Sequence, residues 1–108
     1  MANGRLGKVT TTANTWMLVY TAPTTVEFTT INVNIVNTAA TLATVDVAIT
    51  NAATPTVGDT IGWKDVLAND GGSVEYECYL MSPGEKLYVR STNANTIVRA
   101  HGLEKIAV

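Results

Sequence analysis

One cysteine and one histidine are all that 108 residues offer in the way of zinc ligands of the Cys/His type or thiol chemistry. Cys78 alone cannot close an intrachain disulfide, and with His101 it makes no zinc-type spacing, so no metal or other cofactor is expected. Charge is scarce too, with seven basic and nine acidic residues and a formal net charge of -2. These residues stand singly, without a basic run that could follow a phosphate backbone, and nucleic acid is not an expected partner. No apolar run approaches the roughly 20 residues of a membrane span, and "MANGRLGKV" holds no signal-peptide core. No membrane association is expected, and synthesis in a cytoplasm is. There is also no N-x-S/T sequon to imply a secretory route.

The usual helix formers Lys, Glu and Leu are thin, while about one residue in six is threonine, with valine, alanine and asparagine close behind. Branched Cβ atoms suit a pleated surface better than a helix. Hydrophobic content of 46% against 15% charge is that of a folded chain, and the length suits one domain spanning residues 1–108.

Period-2 segments recur every 8 to 12 residues or so, the spacing of a sandwich or small barrel. About eight strands are expected, over residues 5–10, 15–21, 26–37, 41–50, 61–67, 73–80, 86–91 and 96–108. Residues 51–60, "NAATPTVGDT", form the longest loop. Asp70-Gly71 between two alternating segments predicts a type I′ hairpin, and Ser82-Pro83-Gly84-Glu85 a type II turn. The fold class is all-β: a single antiparallel β-sandwich of jelly-roll or immunoglobulin-like topology.

Two segments break the usual rule of one apolar and one polar face. In "TWMLVY", Trp16, Leu18 and Tyr20 alternate with Met17 and Val19, so both faces are apolar and Met17 and Val19 need a cover, from this chain or from a second copy. In "TTINVNIVNT", Ile31, Val33 and Ile35 alternate with Asn32 and Asn34, poor strand formers on what should be a solvated face. A neutral amide face can hydrogen-bond across an interface without desolvating a charge.

Reaction chemistry finds little to work with. His101 falls on the polar face of its strand beside Arg99, and Cys78 alternates with Val74, Tyr76 and Leu80, which reads as a buried thiol acting as a small hydrophobe. Ser73, Ser82 and Ser91 sit at turns or strand edges, outside any nucleophile elbow. Asp59, Asp65 and Asp70 match no calcium-loop spacing. No catalytic constellation is legible, and the chain reads as no enzyme. The aromatic residues Trp63, Tyr79 and Tyr88, placed off the apolar strand faces, are candidate contact residues for a subunit or a carbohydrate.

The stretch "YECYLMSPGEKLYVRSTNANTIVRAHGLEKI" follows "GRLGKVTTTANTWMLVYTAPTTVEFTTINVNIVNTAATLATVDVAIT". Together they resemble small β-sandwich virion structural proteins of tailed bacteriophages, the capsid decoration or cement proteins. The resemblance lies in the order of pieces: an opening "LGK" strand, the "INVNIVNT" and "ATVDVAI" pair, Pro-Gly, "LYV" and a final strand reaching Gly-Leu-Glu. It implies a non-enzymatic protein on the capsid surface, bound to the major capsid protein or other virion proteins and stabilising adjacent subunits. By analogy with proteins at local three-fold positions it also implies a homotrimer. Under that reading Met17, Val19, Asn32, Asn34, Trp63, Tyr79 and Tyr88 are the candidate interface residues. The alternative expectation is a carbohydrate- or host-receptor-binding module of a head or tail fibre.

Overall fold

Alternation of branched apolar side chains with polar ones produces eight strands: β1 (Asn3–Thr10), β2 (Met17–Thr21), β3 (Val26–Asn37), β4 (Ala43–Thr50), β5 (Thr60–Leu67), β6 (Ser73–Met81), β7 (Lys86–Ser91) and β8 (Thr96–Ile106). A 3-10 turn at Val57–Asp59 is the sole helical piece among the described residues. The computed structural model describes residues 3–106, so the expected continuation of the last strand over Ala107 and Val108 lies outside the described residues.

The strands form two four-stranded sheets, in the orders β1-β8-β3-β6 and β2-β7-β4-β5. Pairs β1·β8, β2·β7, β3·β6 and β4·β5 are all antiparallel, as they would be along one long hairpin. Antiparallel β3·β8 and β4·β7 pairing then closes the rolled hairpin into two layers. This is the jelly-roll arrangement, the first of the two sandwich topologies allowed by the sequence. Only the β4–β5 connection stays within a sheet; every other one crosses between layers.

Between the layers lie Ile31, Val33, Ile35, Val98 and Ala100 from one sheet and Val45, Val47, Leu87 and Val89 from the other, all fully buried. Fully burying a side chain of this size stabilises the fold by about 1.5–3 kcal/mol. Two phenols add polar clips across this layer. Tyr20 of β2 donates to Glu104 of β8 and shares a hydrogen bond with Thr29 of β3. Tyr76 of β6 donates to Asp65 of β5, and its ring occupies the space that a Cβ at Gly62 would need. Burial, reinforced by Glu104, pushes the Tyr20 phenol up to about 12, and burial with Asp65 pushes Tyr76 up as well.

The crossings at one end of the roll are tied by polar side chains, of which Asn37, Ser91 and Thr96 are buried and Asn93 is half-buried. Asn37 Nδ2 donates to the carbonyls of Thr41 and Ala68, and its Oδ1 accepts the Ala39 amide. The hydroxyls of Ser91 and Thr96 meet at 2.9 Å, and Asn93 Nδ2 donates to the carbonyls of Thr41 and Leu42. Ser91 ends β7 and its hydroxyl accepts the Asn93 amide at 3.2 Å, the turn role expected of it, and the residue is fully buried as well. Among the described residues no buried side-chain nitrogen or oxygen lacks a hydrogen-bond partner.

Two turn expectations have different outcomes. Ser82 to Glu85 forms the expected turn, with Gly84 at φ 84° and the Glu85 amide donating to the Ser82 carbonyl. Asp70 and Gly71 do adopt positive φ, yet they join β5 to β6 across the two sheets instead of forming a hairpin. Their amides donate to Ala39 and Asn37 of the neighbouring crossing, and this tertiary anchoring overrides the local hairpin preference.

Candidate functional site

Each of the four edge strands carries a bulge. One residue is extra in β1 between Arg5 and Gly7 and in β2 between Leu18 and Tyr20. In β5 the pair Trp63-Lys64 faces the single Asp46, and in β6 the pair Glu77-Cys78 faces the single Asn32. Bulges disturb the row of free backbone groups that would otherwise pair with another sheet.

The bulges also decide where the expected contact residues fall. Beyond the β2 bulge both Val19 and Tyr20 are buried, and Met17 packs half-buried against this chain's core, so the cover required for Met17 and Val19 is largely internal. Leu18, 48% exposed, is the outward residue of that strand. Beyond the β6 bulge Tyr79 turns inward against the core, while Cys78 is exposed at φ 62°. This reverses the buried thiol and outward tyrosine expected from strict alternation. Tyr88 does face outward from β7, but the 51–59 loop covers it, and its hydroxyl donates to the Ala53 carbonyl at 3.0 Å.

On the outer face of β1-β8-β3-β6, Asn32 is exposed and Asn34 half-buried. Asn32 Oδ1 accepts the Cys78 amide at 2.7 Å, which gives this unusual strand residue an intrachain role. Asn34 stands in register between Arg99 and Glu75, and Thr30 between Leu103 and Leu80. Leu103 and Leu80 are 43% and 63% exposed, a larger apolar display than the amide pattern alone foretold.

The outer face of β2-β7-β4-β5 carries a second group, built along one row. Asp46 of β4 receives Arg90 Nε and Nη2 at 3.1 and 2.9 Å and the bulge amide of Lys64 at 2.8 Å. The Arg90 guanidinium carbon lies 4.4 Å from the Trp16 ring centroid and 6.0 Å from that of Trp63. Lys64 Nζ sits 5.5 Å from the Trp63 centroid, within cation–π range. Asn14, Thr44, Asp46, Lys64, Arg90 and Thr92 line an open cleft of about 210 Å³ beside these rings. Of this group the sequence singled out Trp63 alone; Asp46 and Arg90 are 44 residues apart and become neighbours only through β4·β7 pairing.

Asp59, Asp65 and Asp70 are not brought together. Asp59 caps the 3-10 turn by accepting from the Thr56 amide and hydroxyl, and Asp65 accepts from Tyr76. Among the described residues no three of His, Cys, Asp and Glu are grouped to hold a metal. His101 lies on the outer face opposite Arg5 and Asn32. No protein-family model, curated protein or solved structure matches the chain.

Proposed function

We propose that this chain is a non-enzymatic structural protein of a phage virion, a decoration protein that binds the outside of the head shell and holds adjacent capsid subunits together. The observation that carries this reading is the outer face of β1-β8-β3-β6, where the exposed Leu103 and Leu80 flank Thr30 in one row across three strands, next to the row of the neutral Asn32. Covering that row buries apolar area, while Arg99 and Glu75, which stand two rows away on either side of Asn34, are of opposite sign. Bulges on all four edge strands favour docking by a face over open-ended strand addition. The order of sequence pieces shared with decoration proteins gives the reading its particular partner, the major capsid protein, and its oligomeric form, a homotrimer.

Co-sedimentation with empty shells of the same virus's major capsid protein tests the proposal. Saturable binding is expected, with its loss in Leu80→Glu/Leu103→Glu. Both positions are exposed, so this variant keeps wild-type stability to within about 0.5 kcal/mol. Absence of binding, or undiminished binding by the variant, contradicts the proposal. The mass of the free protein tests the trimer separately.

A further inference from the structure

We infer that the cleft on the outer face of β2-β7-β4-β5 is a binding site for an acidic saccharide, a sugar ring that carries a carboxylate. The lining supplies an amide from Asn14, hydroxyls from Thr44 and Thr92, one carboxylate and two cations, with Trp63 beside it at 41% exposure. Apolar small molecules are held by pockets lined mainly with apolar and aromatic groups, which this one is not. A sugar ring has the complementary chemistry: hydroxyls for the polar lining and a C–H face for the indole.

The charge balance selects an anion. Asp46 and Arg90 neutralise one another in the one salt bridge found among the described residues, which leaves Lys64 as a cation with no carboxylate partner there. Arg90 spends Nε and Nη2 on Asp46, and among the described residues Nη1 has no hydrogen-bond partner and can donate to a ligand. Its guanidinium is held by Asp46 and stacked near Trp16, so little ordering remains to be done when a ligand arrives. Lys64 rests over Trp63, and a carboxylate that draws the ammonium aside uncovers the ring for stacking. A single surplus cation is too little for a polyanionic nucleic-acid backbone. This site and the Leu80–Leu103 face lie on opposite sheets, so either can fail without the other.

The test is calorimetric titration with a glucuronate-containing oligosaccharide, a neutral glucan of equal length and poly-glutamate, with tryptophan fluorescence as a second readout. Lys64→Gly is the informative variant, because it removes the ammonium at a position with φ 54° where glycine relieves backbone strain. Expected are saturable binding of the acidic sugar, at least about tenfold weaker binding of the glucan and poly-glutamate, and a loss of about tenfold in Lys64→Gly and Trp63→Ala. No saturation by about 10 mM acidic sugar, equal binding of poly-glutamate, or unchanged affinity in Lys64→Gly overturns the inference.

Discussion

Asn32 Oδ1 accepts the backbone amide of Cys78 at 2.7 Å, across the bulge where two β6 residues face one β3 residue. Asp46 does the same for Lys64 on the other sheet, at 2.8 Å. In each case the second bulge residue has a left-handed backbone, at φ 62° and 54°, and a side chain of the neighbouring strand accepts its amide. An amide on the outer face of a strand thus has a local physical reason before any partner is invoked.

Asn32→Ala should lower unfolding free energy by about 1 kcal/mol, the net value of a partly solvated hydrogen bond. Asn32→Asp keeps the accepting oxygen and should lose clearly less. Urea denaturation of the three proteins measures this, and equal losses in both variants would show that the accepting oxygen is not what matters.

Cys78→Gly should stabilise the fold by about 1 kcal/mol, since a side chain in the left-handed region carries a steric cost that glycine lacks. Cys78→Val should destabilise it, because branching at Cβ sharpens the same clash. The thiol is exposed, so the native protein should react with a maleimide at the rate of an accessible cysteine. Protection until unfolding would contradict the bulge.

Asn37→Ala should cost about 1–3 kcal/mol, since it removes three hydrogen bonds made by a fully buried side chain, although the Thr41 and Ala68 carbonyls keep Asn93 Nδ2 and the Gly72 amide as donors. Asn37→Asp should also be strongly destabilised, because its carboxylate cannot donate to Thr41 and Ala68. Thermal melts decide the point: a variant that melts with the wild type would remove Asn37 from its role.

The contribution of Tyr20 to stability should hold level through about pH 9 and then fall as pH rises from about 10 toward 12. The unfolded chain releases the Tyr20 proton near 10, while the folded chain keeps it until about 12, so the folded state binds more protons across that window. Each tyrosine raised in this way steepens the fall by up to about 1.4 kcal/mol per pH unit. Denaturation from pH 8 to 12, with Tyr20→Phe losing part of the slope, checks the sign.

Strand positions were largely legible in the sequence because branched residues alternate there without interruption: β3 and β7 occupy the expected residues 26–37 and 86–91. The faces were less legible. Alternation placed Cys78 inside and Tyr79 outside because a bulge inverts the count, and nothing in "YECYL" marks a bulge before its partner strand is known. The loop over Tyr88 and the Asp46–Arg90 pair were hidden for a related reason: both depend on long-range contacts. Asn37 looked like one more amide of the strand until the neighbouring crossings surrounded it.

A cryo-EM reconstruction of head shells saturated with the protein tests the shell-binding claim most directly. Ordered jelly-roll density is expected at regularly repeated sites, with the β1-β8-β3-β6 face and its Leu80 and Leu103 side chains against the shell. Bare shells at saturating protein, or a bound protein with that face turned to solvent, would contradict it.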